Sequence, residues 1–246
     1  MVQDDSTIII NNNITSKEDI IENAKKFFRV RIVENHIRNT RTLTTTSKFN
    51  INPFLHKYLA NFLTGNDDSR SIAKALLYPR VLGTSITTTF GTQMQFFINE
   101  VLGSTGSLTP GIDIEFIDKI DGKLKFCQLK SGPNTINRGD VEPIKSEFRN
   151  LINLGRTNRR LIHTSDCVVG TLYGSFGDLN GHYLEINKDF PVYAGNEFWT
   201  HLTGDENFFE DLTDAIADIA YEFDGTELLE HIISTLAEEI ENNKDF

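Results

Sequence analysis

GIDIEFIDKIDGKLKFCQLKSGPNTIN, running from Gly111 to Asn137, reads as two extended segments meeting at Asp121-Gly122. Asp-Gly between such segments signals a two-residue type I′ turn, because both central residues of that turn need positive φ. With this turn as the loop, Ile120 pairs with Lys123, Asp113 with Lys130 and Glu115 with Gln128. Side chains two apart on a strand share a face. One face of the hairpin therefore carries Asp113, Glu115, Gln128 and Lys130. Ile112, Ile114, Phe116, Lys125, Cys127 and Leu129 point to the other. Directly opposed Cβ atoms sit about 4.5–5.5 Å apart, close enough for the polar set to act together. A longer turn or a bulge shifts the pairing.

Two carboxylates, an amide oxygen and an ammonium in so small a space suit phosphoryl chemistry. Oxygen ligands of this kind hold a hard cation such as Mg²⁺, which keeps several waters and is completed by substrate phosphate. Such a cation polarises a phosphoryl oxygen and helps to generate hydroxide. A neighbouring lysine stabilises developing negative charge or orients the attacking water. The competing reading is a solvated outer hairpin face with cross-strand Asp–Lys pairing.

Asp113 followed after a short hairpin by Gln128-x-Lys130 resembles the PD-(D/E)xK nuclease motif, with glutamine in the acidic slot and Pro110 three residues before the aspartate. The likeness extends to ENAKKFFRVRIVENHIRNT, YPRVLGTSITTTFGTQMQ, KSGPNTIN and FWTHLTGDENFFEDLTDAIADIA, segments that together span roughly residues 17–240. In these the chain is similar to type II restriction endonucleases, notably the subgroup that cuts GGNCC-centred sites. The resemblance implies a restriction-endonuclease-like core and a homodimer that cleaves double-stranded DNA with Mg²⁺ as cofactor, as part of a restriction-modification system. It implies Asp113, Gln128 and Lys130 as catalytic residues. Asp113 would be the principal metal ligand, Gln128 and Glu115 would assist, and Glu100, on the helix before the hairpin, is an additional ligand candidate. Glutamine in the acidic slot removes one negative charge. Two alternatives stay open: a structure-selective repair nuclease, and a catalytically dead DNA-binding protein of the same fold.

The chain has 246 residues, 39% hydrophobic and 24% charged, which fits an ordinary globular protein with a sizeable core. No apolar run approaches the length of a membrane helix. The start carries aspartate where a signal peptide would carry lysine or arginine, so the expected location is the bacterial cytoplasm. Cys127 and Cys167 fall in expected strands and read as small buried residues. The net charge of −11 argues against DNA binding until its distribution is considered. Residues 119–163 hold ten basic and four acidic side chains, net +6, around the candidate site. Residues 164–246 hold two basic and nineteen acidic, net −17.

The remaining pattern predicts an α/β (α+β) fold, a mixed central β-sheet flanked by helices with helical additions at both ends. Residues 1–16 are polar and read as a disordered terminus, and residues 17–246 as a single domain. Within it, 17–89 form a helical part, 90–185 the catalytic core and 186–246 an acidic helical part with a candidate dimer interface. Ser16 caps an amphipathic helix to about Asn39. Residues 50–77 read as two helices, Phe90 to Leu102 and residues 140–156 as one each, and about 204–222 and 225–243 as the last two. RRLIHTS and CVVGTLYG read as strands. The loop after Lys130 offers Asn134, Thr135, Asn137 and Arg138 for base-edge or phosphate hydrogen bonds. Lys145, on the following helix, completes the candidate DNA contacts. A polar turn with no ligand is the alternative.

Overall fold

In the computed structural model, which describes residues 16–102, 105–107 and 109–242, Gly122 takes the left-handed conformation (φ 72°) but Asp121 does not. A type I′ turn is thereby excluded. Lys119, Ile120, Asp121 and Gly122 instead form a longer loop, closed by Asp118 N to Lys123 O at 2.9 Å and Gly122 N to Asp118 O at 2.9 Å. The side chains of Asp118 and Asp121 accept from Ile120 N and Lys123 N, each at 2.9 Å, which supplies the turn with the local bonds aspartate favours. The pairing is accordingly Ile114 with Cys127, Glu115 with Phe126 and Ile117 with Leu124, a slip of two residues from the expected register. A slip of two preserves faces, since side chains alternate with period two. Asp113, Glu115, Gln128 and Lys130 thus still share one face. Extending the register one step sets Asp113 opposite Gln128 rather than Lys130.

In chain order the elements are α1 (Lys17–Phe27), α2 (Asn35–Arg41), α3 (His56–Thr64), α4 (Ser69–Pro79), α5 (Ile86–Val101), β1 (Thr105–Gly106), β2 (Ile114–Ile117), β3 (Leu124–Lys130), α6 (Arg138–Thr157), β4 (Cys167–Thr171), α7 (Gly181–Asn187), β5 (Val192–Ala194), α8 (Asn196–Thr203), α9 (Phe208–Ala220) and α10 (Thr226–Asn242). Wider π-turns at Phe28–Glu34 and Arg80–Ser85 carry α1 into α2 and α4 into α5. The expected disordered terminus falls almost wholly outside the described residues.

The chain divides into two compact units, one combining residues 1–25 with 91–217 and the other residues 26–90 with 218–246. The first unit holds the sheet, in the order β1-β2-β3-β4-β5. β1, β2 and β3 run antiparallel, while β3, β4 and β5 run parallel. One side of the sheet buries Phe126, Val169 and Val192 beneath Val141, Ile144 and Phe148 of α6 and Tyr183 and Ile186 of α7. On the other side Phe116 meets Phe198 of α8 edge-on at 6.3 Å, and Trp199 lies 6.3 Å from Phe97 of α5. Gly170 permits this approach, since a Cβ there would lie 2.5 Å from the Phe198 ring. With both faces covered, β3 and β4 are almost continuously buried, as central strands of a covered sheet are, even at the polar positions Lys125 and Gln128. Cys127 and Cys167 are buried free thiols, as expected. Burial pushes the Cys167 thiol up to about 12.

The second unit is helical. Ile72 and Leu77 of α4 pack with Ile232, Ile233, Leu236 and Ile240 of α10. The apolar stripe of α10 is therefore consumed inside its own unit. Glu239 accepts from Thr46 N and Thr46 Oγ1 at 2.9 and 2.8 Å, tying the connector before α3 to α10.

Two expectations need correction. RRLIHTS forms no strand: Arg159 closes α6 in the left-handed conformation (φ 56°), and Arg160 N donates to Gly155 O at 2.8 Å, as a helix C-terminus does. The segment is spent on that cap and on a 3₁₀ turn at Thr164–Asp166. The region after residue 186 is also not purely helical, because β5 completes the sheet there.

Candidate active site

β2 and β3 bring the polar face together at the end of the hairpin remote from its turn. Asp113, half-buried just before β2, fixes one carboxylate oxygen by accepting from Leu129 N at 2.7 Å. Gln128 is 3% exposed in mid-strand, and its Nε2 donates to Glu147 Oε2 at 2.6 Å. The short distance is typical of a hydrogen bond to a carboxylate. Lys130 ends β3 half-buried, and its ammonium has no hydrogen bond or ion pair among the described residues. Glu115 is half-buried one pleat beyond Asp113, with Oε1 accepting from Ser107 Oγ at 2.7 Å. Glu100 is exposed near the end of α5, and no hydrogen bond or ion pair joins it to Asp113, Gln128 or Lys130. The structure thus gathers Asp113, Gln128 and Lys130 with Glu115 on one hairpin face, and among the described residues it bonds Glu100 to none of them.

Glu147 is the residue the sequence reading missed. It projects from α6, nineteen positions after Gln128, where spacing carries no signal. Its carboxyl group also lies over Gly111: a Cβ on that glycine would fall 2.4 Å from Glu147 Cδ. What could have marked it is its setting, an acid inside the one strongly basic stretch of the chain.

A model of the family described as type II restriction endonuclease EcoO109I matches residues 15–224. The chain belongs to this family. No curated protein matches it. The protein is accordingly a type II restriction endonuclease, a nuclease that hydrolyses phosphodiester bonds of DNA at specific sites. The mixed sheet flanked by helices is the fold expected of it.

In this restriction endonuclease the candidate DNA contacts divide into two groups. Asn134 and Arg138 are exposed, their side chains with no hydrogen bond or ion pair among the described residues. Thr135, Asn137 and Lys145 are committed to the fold. Thr135 Oγ1 donates to Gly132 O and lies 2.9 Å from Tyr183 Oη, which itself donates to Gly132 O at 3.0 Å. Burial pushes the Tyr183 hydroxyl up to about 12, so it remains a neutral donor that anchors the loop. Asn137 caps α6, accepting from Gly139 N at 2.7 Å while its own N–H donates to Asp140 at 2.7 Å. Lys145 is 7% exposed and pairs with Asp189 at 2.8 Å. The ammonium hydrogen-bonded to Asp189 holds that carboxyl below the usual carboxylate range.

The donor set suits a hard cation. Among the described residues no three His, Cys, Asp or Glu side chains form a ready-made metal cage. Mg²⁺ does not require one, being held by one or two carboxylates with waters and substrate phosphate. Among the described residues no helix is long and apolar enough to cross a membrane.

Proposed function

We propose that this restriction endonuclease is Mg²⁺-dependent, that Asp113, Gln128 and Lys130 form its catalytic centre, and that it works as a homodimer beside a modification enzyme in the bacterial cytoplasm. The observation that carries the reading is one hairpin face holding Asp113, Gln128 and Lys130 in a chain of this family. Asp113 keeps one carboxylate oxygen on Leu129 N and offers the other as the principal ligand. Mg²⁺ supplies neutralisation of the phosphoryl oxygens and a more acidic attacking water. Lys130, without an anionic partner among the described residues, donates to the attacking water or to the oxygen on which charge develops. Gln128 backs Asp113 from across the hairpin. Glu115 assists more weakly, since Ser107 already occupies one of its oxygens. Exposed Asn134 and Arg138 meet the DNA beside this face.

A homodimer follows from the symmetry of restriction sites, since a twofold axis puts one cleft on each strand. The stripe of α10 is buried in its own unit, but Phe54, just before α3, and Tyr58 and Phe62 on it are exposed, apolar surface of the kind a subunit contact covers. The test is plasmid digestion in Mg²⁺ with a chelator control and run-off sequencing of the ends. The expected result is a discrete ladder with one repeated sequence at the cuts. Cleavage without fixed bands would point to a structure-selective nuclease, and no cleavage at all to a dead site.

A further inference from the structure

We propose that Glu147 supplies the acidic oxygen ligand that the Gln128-x-Lys130 motif lacks, with Gln128 as the positioning residue that holds it. The proposal rests on the Mg²⁺-dependent reading above. Three observations converge on it. First, four acidic residues occur in residues 119–163, and three have evident structural duties. Asp121 pairs with Lys125 at 2.6 Å, Asp140 completes the cap of α6, and Glu142 pairs with Arg149 at 2.6 Å. Glu147 alone has no cationic partner among the described residues. Second, the one hydrogen bond its carboxylate accepts among the described residues comes from Gln128, the buried residue opposite Asp113. A half-buried carboxylate held by one neutral donor is incompletely compensated, the condition under which a cation binds well. Third, the space it occupies exists because residue 111 is glycine, held at φ 79° where other residues rarely sit. A side chain at 111 would drive the carboxyl group away from Gln128.

The chemistry agrees. Glutamine at 128 is neutral and Glu115 already accepts from Ser107, so Asp113 is the principal negative ligand of the strand face. A carboxylate arriving from α6 adds a second. With its Nε2 committed to Glu147, Gln128 keeps Oε1 as a further neutral oxygen.

Glu147→Gln separates charge from structure, because the new amide oxygen can still accept from Gln128 Nε2. Two readouts apply: calorimetric titration of the DNA-free protein with Mn²⁺ alone, and plasmid cleavage across a Mg²⁺ series. Glu147→Gln is expected to weaken Mn²⁺ binding about tenfold or more and to cut cleavage by about 100-fold. The double variant Gln128→Glu/Glu147→Gln returns the carboxylate to the strand and should regain most of the Mn²⁺ affinity and part of the cleavage. A merely structural Glu147 predicts neither the loss in the isosteric variant nor the rescue. Wild-type Mn²⁺ affinity and cleavage in Glu147→Gln would overturn the proposal. Asp113→Asn distinguishes the two levels: if it cuts like wild type, the hairpin is not the active site. If it is inactive while Glu147→Gln behaves as wild type, only the role of Glu147 falls. Should the wild type leave the plasmid uncut, the Mn²⁺ titration decides alone, and equal affinity in both proteins again overturns the proposal.

Discussion

Lys125 and Lys130 lie five residues apart on β3, on opposite faces, and meet opposite fates. Lys125 is 1% exposed, pairs with Asp121 at 2.6 Å and Asp118 at 3.7 Å, and donates to Ser165 O at 3.0 Å. Asp118 is fully buried and also meets His201 Nδ1 at 2.7 Å, with the His201 ring stacked on Tyr193. Removing one member of such a cluster strands a buried charge. Lys125→Met is expected to destabilise the protein by about 3–5 kcal/mol in urea unfolding, with cleavage lost only as the folded fraction falls. Lys130→Met should do the reverse. No described residue pairs with its ammonium, so stability should change by less than about 0.5 kcal/mol. Cleavage should fall by roughly 100-fold, the scale of one lost charge-stabilising donor. A Lys130→Met protein that unfolds readily, or cuts normally, would remove that lysine from the proposed centre.

At the scale of elements, α6 does most of the positioning. Its cap orders the loop after Lys130, its apolar side covers the sheet, Glu147 reaches the site and Lys145 ties it to the segment after α7. The last contact predicts a pH effect. Asp189 has its folded value depressed by Lys145, so its contribution is present above the ordinary carboxylate value of about 3.9. It is lost as pH falls through the depressed folded value. Lys145→Met should therefore lower stability at neutral pH and show a shallower loss on acidification than wild type, measured by thermal unfolding at several pH values. Elements were more legible in the sequence than the contacts between them. Periodicity found α4, α6, α9 and α10 because each buries one stripe. It found the polar face of the hairpin, since a two-residue slip leaves faces unchanged. The register itself was misread because Asp121-Gly122 carries the local signal of a tight turn, while Asp118 and Asp121 closed a longer one with their side chains. α7, β5 and α8 are short, and their order comes from packing on a sheet already formed, which no local pattern records. Glu147 was invisible for a related reason: its meeting with Gln128 depends on where α6 crosses the sheet.

For the whole molecule the question is how a chain of net charge −11 holds a polyanion. The basic stretch 119–163 lies in the unit that carries the sheet. Part of its charge is already engaged: Lys125 and Lys145 are buried in ion pairs, exposed Arg149 pairs with Glu142, and exposed Arg160 lies over the Phe126 ring at 5.3 Å. Arg138 differs from these. It is exposed, without an ion pair among the described residues, and stands at the first position of α6. A cation there faces the positive end of the helix dipole, so its placement does not serve helix stability. A phosphate beside it would meet both the guanidinium and that helix end. Arg138→Gln should leave thermal stability unchanged or slightly raised. It should weaken binding to cognate and random DNA alike and flatten the log–log salt dependence by about one unit, the share of one phosphate contact. Fluorescence anisotropy at several salt concentrations, in Ca²⁺ to block cutting, measures both effects. A loss confined to the cognate site, with the slope on random DNA unchanged, would make Arg138 a base reader instead, and no loss on either DNA would remove the start of α6 from the interface.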